Sequence, residues 1–132
     1  MIFDDFSVIA ADIEEIVPPE ITIENAPVFL ARQKDMKIAK EHTDSLVIGA
    51  DTSVICDGKI LGKPKSKAEA REMLRLLSNN THKVITGCAL AFNGKITSFS
   101  SVTEVEFLSL SEKEIEEYIE GSEPYDKAGG YG

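Results

Sequence analysis

Asp51 follows an unbroken apolar run, Leu46-Val47-Ile48-Gly49-Ala50, and is itself followed by Thr52. A carboxylate at the end of such a run is held against a low-dielectric wall. Desolvation there raises a carboxyl pKa and neighbouring cations lower it. Either setting suits a general base or a metal ligand. It suits equally an Asx-type turn cap, in which the side chain bonds the local backbone, and spacing alone does not separate the two. Gly62-Lys63-Pro64 is a second candidate: the glycine lets backbone approach a ligand, the proline stiffens the exit, and Lys63 offers a point charge for a phosphate. A surface turn with an exposed lysine has the same appearance. Asp126-Lys127-Ala128-Gly129-Gly130-Tyr131-Gly132 could bring backbone amides and Lys127 to an anion, as a flexible tail also could. Glu14-Glu15 in a loop and Lys34 on a helix, read alone, are solvated surface, and His82 after Thr81 reads as a structural histidine. No arrangement of Ser or Cys with His suggests a nucleophilic triad, and neither the P-loop nor the dinucleotide glycine signature occurs.

These residues need elements to aim them. Residues 6–11 read as a short apolar strand, and 14–24, broken by Pro18-Pro19, as an acidic connection. A helix starts near Pro27 and runs to about Glu41, with Arg32, Lys34, Lys37 and Lys40 along it. The run 46–50 is expected to be a strand buried on both faces, continued by 53–56. Asp57-Gly58 turns it into a return strand over 59–61. Ser66-Lys67-Ala68-Glu69 is a capping box, and Ala70, Met73, Leu74 and Leu77 then form one apolar stripe, stopped by Ser78-Asn79-Asn80. Strand formers fill 83–92, Asn93-Gly94 is a hairpin turn, and 95–110 returns. A second box, Ser111 to Glu114, opens a helix with Ile115, Tyr118 and Ile119 on its apolar face and Gly121 as its C-cap; 123–132 is loop-like. The sum is a mixed α/β domain: a largely antiparallel central sheet with flanking helices.

The 132 residues fit one domain, with 42% hydrophobic and 28% charged residues, the balance of a chain that buries a core. A net charge of −9 argues against a general nucleic-acid binder or an anionic membrane surface. No apolar run approaches a membrane span, and the N-terminus is acidic where a secretory signal is basic. Cys56 and Cys88 read as reduced core thiols of a cytoplasmic protein. With His42 and His82 they are too few and too scattered for zinc.

Taken in order, Leu46 to Thr52, Gly62-Lys63-Pro64, the stripe Ala70…Met73-Leu74…Leu77-Ser78, Thr81-His82…Thr86-Gly87, Thr103-Glu104-Val105…Phe107 and Asp126 to Gly132 resemble the Maf family of nucleoside triphosphate pyrophosphatases, also called septum formation proteins. The resemblance covers essentially the whole chain and rests on the ordered set. It implies the Maf/ITPase-like fold and hydrolysis of a nucleoside triphosphate, dTTP/UTP or a modified nucleotide, to the monophosphate and pyrophosphate with a divalent metal, Mg²⁺ or Mn²⁺. It makes Asp51 the proton acceptor. It puts Glu15, Lys34, Lys63 and Lys127 in the substrate pocket, with Thr52, the residue after the acid, setting base preference toward the dTTP/UTP branch.

The family pattern also has a strand and a Ser-x-Ser-Pro-Arg-Arg phosphate loop ahead of the point where this chain opens, Met1-Ile2-Phe3-Asp4-Asp5, and an Ile-Gln-Gly segment after Tyr131-Gly132; the Gly130 position is usually Ala. A single Maf-like domain lacking both segments, residues 1–132, is expected to have reduced activity and an exposed sheet edge that invites a homodimer. The alternative function is a non-catalytic nucleotide-binding remnant or a cell-division interaction module. An aspartyl-phosphate phosphatase needs a second Asp two residues after the first, where Ser53 stands.

Overall fold

The computed structural model describes residues 7–11 and 13–131. Helix α1 (Ala26–Ala39) leads into strand β1 (Val47–Cys56), which turns back as β2 (Lys59–Leu61). Helix α2 (Lys67–Leu77), the long hairpin β3 (Thr81–Phe92) and β4 (Lys95–Glu106), and helix α3 (Glu112–Ile119) follow. Two 3₁₀ turns, Glu123–Asp126 and Ala128–Gly130, close the order. The sheet runs β2-β1-β3-β4 and every pairing is antiparallel, so the expected mixed α/β architecture forms.

Both predicted two-residue turns set the hairpins: Asp57 and Gly58, like Asn93 and Gly94, carry positive φ, the type I′ requirement. Because β2 pairs only with Val54, Ile55 and Cys56, β1 outruns it, and residues 47–53 have no strand neighbour on that side among the described residues.

Helix α1 lies on one face of the sheet, and two glycines let it approach. A Cβ on Gly49 would stand 2.7 Å from the Ala31 carbonyl, and one on Gly87 would fall on the backbone of Pro27 and Val28. The opposite face receives α2 at its other end, where Leu77 packs with Val54, Cys56 and Leu61. Helix α3 packs on α2 through Ala70, Leu74, Ile115 and Ile119, as the stripes on both helices predict. Three ion pairs in antiparallel register, Lys67–Glu120, Arg71–Glu116 and Arg75–Glu112, bridge the two helices outside that seam.

Several local expectations are corrected. Residues 7–11 are not a strand: no described strand pairs with them, and Val8 and Ile9 are exposed. Phe6 lies outside the described residues. The first half of β1 is not buried on both faces; its burial alternates, because only α1 covers it. Strand β4 stops at Glu106, since the N–H of Phe107 turns to the Asn80 carbonyl and that of Leu110 to the Ser78 hydroxyl. Ser66 caps α2, but Glu69 reaches past it to the Lys65 N–H; the reciprocal box forms at Ser111 and Glu114. Gly121 is no left-handed cap, for α3 closes through Glu120 in right-handed geometry. Cys56 is buried and Cys88 only half-buried; both are free thiols. No described helix is long and apolar enough to cross a membrane.

Candidate active site

Successive side chains of a strand point to opposite faces, so the free stretch of β1 serves two surfaces. Asp51 shares the α1 face with Gly49, and the missing side chain at Gly49 is what brings α1 close enough for Lys34 to reach it. Lys34 Nζ donates to Asp51 Oδ1 at 3.0 Å and lies 2.9 Å from Glu15 Oε1. One ammonium thus ties the loop before α1 to the strand. Burial opposes the charge on Lys34, but hydrogen bonds and charges from Glu15 and Asp51 outweigh it and hold its pKa above the ordinary lysine value. The Asp51 side chain is 15% exposed, so it is neither a solvent-facing turn cap nor sealed away.

Ala50, Thr52 and Val54 belong to the other face. With Val84 they floor a cleft of about 470 Å³ that also takes in Asp51, Lys63, Asp126, Lys127, Ala128 and Tyr131. Lys63 enters from the segment after β2, where Gly62 fixes the far wall by accepting from the Gly129 N–H at 3.1 Å. Gly129 has φ 76° and packs against Val54, a position where a Cβ would be both strained and crowded. The Thr52 hydroxyl pairs with that of Thr86 across the strands at 3.1 Å.

Of the residues singled out in the sequence, Asp51, Thr52, Lys63 and Lys127 therefore line one cleft, and Glu15 and Lys34 reach it through Asp51. Two polar residues were not singled out as site residues. Tyr131 lines the cleft and meets the buried ring of His82, Oη to Nε2 at 2.5 Å. Asp35 is 1% exposed beneath α1, with neither carboxyl oxygen hydrogen-bonded among the described residues. Its signal was present in the sequence: Pro27, Ala31 and Asp35 recur every four residues, the buried stripe of this helix.

The arrangement sets three lysines and three carboxylates around one opening. Such a site can hold a polyanion, orient a water and accept its proton.

A sequence profile of the family described as Maf-like protein matches residues 1–132. The dTTP/UTP pyrophosphatase of Halalkalibacterium halodurans is 45% identical over 127 residues, 96% of this chain and 67% of that protein. That of Bacillus cytotoxicus is 47% identical, covering 96% and 66%, and that of Bacillus mycoides is 44% identical with the same coverage. The chain spans about two thirds of the length of these relatives.

Proposed function

The chain belongs to the Maf-like protein family, and we propose that it hydrolyses dTTP and UTP, and modified nucleotides of like shape, to the monophosphate and pyrophosphate. The relatives are named dTTP/UTP pyrophosphatases. The observation that supports the reading on this chain's own residues is Asp51, bonded to Lys34 at the mouth of a cleft it shares with Lys63 and Lys127.

In the proposed reaction Asp51 takes a proton from a water as its oxygen bonds to phosphorus. The phosphoanhydride bridge between the α- and β-phosphates breaks and pyrophosphate leaves. Lys63 and Lys127 hold the phosphates, and their charges offset the negative charge gathered on the oxygens. Lys34 fixes the Asp51 carboxylate so that its free oxygen faces the water, and Glu15 fixes Lys34. Thr52, on the cleft floor beside Asp51, is positioned to meet the nucleoside.

The reading includes a divalent cation, Mg²⁺ or Mn²⁺. Among the described residues no cluster of three or more His, Cys, Asp or Glu stands ready to hold an ion. Mg²⁺ does not need one: one or two carboxylates plus substrate phosphates and waters suffice. Glu15, half-exposed beside Lys34, fits that donor set and leaves the free Asp51 oxygen to the water. Bound there with substrate, the cation supplies charge neutralisation on the phosphates.

The test is Asp51→Asn assayed with UTP and Mg²⁺. The unaltered chain releases pyrophosphate. The variant keeps nucleotide binding and loses turnover by about 10²–10⁴-fold, the usual contribution of a general base. Binding without release in the unaltered chain would replace this reading with a nucleotide-binding protein that is not an enzyme.

A further inference from the structure

His82, the second residue of β3, is 2% exposed. It stands edge-on to Phe107 at 5.1 Å and to Tyr131 at 5.4 Å between ring centroids, and those two rings meet each other at 4.8 Å. Its Nε2 is 2.5 Å from the Tyr131 hydroxyl, while Nδ1 is buried with no partner among the described residues. A fully buried imidazole with one nitrogen unsatisfied is costly. The single polar contact it makes goes to a residue that lines the cleft.

The segment ending at Tyr131 carries Asp126 and Lys127 into that cleft, and it is fastened at three points. Tyr125 donates to the Ile119 carbonyl at 2.8 Å, Gly129 donates to the Gly62 carbonyl at 3.1 Å, and Tyr131 meets His82. Between the fastenings lie short 3₁₀ turns and two glycines of positive φ, Gly129 and Gly130, which have little stiffness of their own. The position of Lys127 therefore depends on its anchors.

We propose that His82 is a positioning residue: through the Tyr131 hydroxyl it latches the 126–131 segment to the start of β3 and so aims Lys127 at the phosphates. His82 lines no part of the cleft and does not touch substrate; it acts through Tyr131. The aim at phosphates rests on the nucleotide reading above, but the latch does not.

Two measurements separate these parts. In His82→Leu the volume is filled and the hydrogen bond is gone; in His82→Gln a polar group is restored. Titrating pyrophosphate by calorimetry, His82→Leu and Tyr131→Phe each bind about tenfold more weakly, the scale of one buried hydrogen bond. Their double variant binds no worse than either, and His82→Gln recovers most of the loss. For UTP the loss appears in KM and leaves kcat nearly unchanged. Additive losses, or a Gln variant as poor as Leu, overturn the latch. Amide hydrogen exchange reads the latch without any ligand: His82→Leu speeds exchange at 127–131 and leaves α2 unchanged. If exchange does not change, the latch is wrong whatever the assay shows. If exchange responds but the unaltered chain binds no pyrophosphate, the latch stands and the nucleotide reading falls.

Discussion

Lys34 and Asp51 meet at 3.0 Å across the seam between α1 and β1, and the same ammonium holds Glu15 at 2.9 Å. Two carboxylates thus share one cation. The Asp51 partner is mostly enclosed and the Glu15 partner is half in water, so the first bond is the stronger. Lys34→Met keeps the aliphatic stem and removes the charge. Asp51 and Glu15 are then like charges without a mediator, and the carboxylate loses its fixed orientation. Turnover of UTP should fall by about 10²-fold, most of it in kcat, as expected when a general base is misaimed. Steady-state kinetics beside Lys34→Arg checks this, the arginine recovering part of the loss by retaining the charge.

One residue along α1, Asp35 presents the opposite case. It is buried with no hydrogen-bond partner among the described residues, and burial pushes its carboxyl up to about 6 from an ordinary 3.8. A carboxyl whose folded pKa is raised favours the folded state while it is protonated. Its contribution is fully present below about pH 4 and is lost as pH rises through 6. Above that the folded chain carries a buried charge costing about 2–3 kcal/mol. Asp35→Ala leaves a Cβ already accommodated beside Gly49. The variant should match the parent near pH 4 and exceed it by about 2–3 kcal/mol at pH 8. Urea unfolding at the two pH values decides it; a gain that does not depend on pH would trace to packing.

Helices α2 and α3 carry a different kind of electrostatics. Lys67, Arg71 and Arg75 lie four residues apart and face Glu120, Glu116 and Glu112 in reverse order. The middle rung is the least exposed, and Arg71 spans both carboxylate oxygens of Glu116. Exposed pairs of this kind contribute little one by one and are screened by salt. Arg71→Glu should lower the unfolding temperature slightly, and adding Glu116→Arg should restore most of the loss. Thermal unfolding at low and high salt measures both, the difference between the single and double variants shrinking as salt rises.

How much of this was legible in the chain depended on whether the signal was local. Asn93-Gly94 and Asp57-Gly58 specify type I′ turns by their own φ preferences, and the two hairpins follow from them, whereas the β1–β3 pairing that joins the hairpins into one sheet is a long-range contact with no local signal. Ser111 with Glu114 is a reciprocal cap whose partners are three residues apart. Residues 7–11 form no strand because a strand needs a neighbour and composition does not supply one. The run before Asp51 is half-buried on one face only, and its length says nothing about where α1 and α2 lie over it. Asp51, Thr52, Lys63 and Lys127 were each ambiguous alone, and the ordered family resemblance, not spacing, grouped them. The partners of Tyr131 and the burial of Asp35 are tertiary facts: one joins residues 49 positions apart, and the other needs a helix crossing over Gly49.

That crossing rests most heavily on Gly87, the residue that stands opposite Asp51 on β3. A Cβ there would stand 2.3 Å from the Val28 amide nitrogen and 2.4 Å from the Pro27 carbonyl carbon, both backbone atoms at the start of α1 that cannot rotate aside. Gly87→Ala must therefore push the helix off the sheet. Overpacking that only backbone movement can relieve lies at the upper end of the usual range, so the variant should lose about 3 kcal/mol. The same displacement draws Lys34 away from Asp51, since both contacts belong to one rigid helix. Activity should then fall beyond what the unfolded fraction explains, an effect visible as a lower kcat per folded molecule at a temperature where circular dichroism shows the variant intact. Gly94→Ala is the comparison: that glycine has positive φ but open space around it, so the variant should lose about 1 kcal/mol of turn stability and keep full activity per folded molecule.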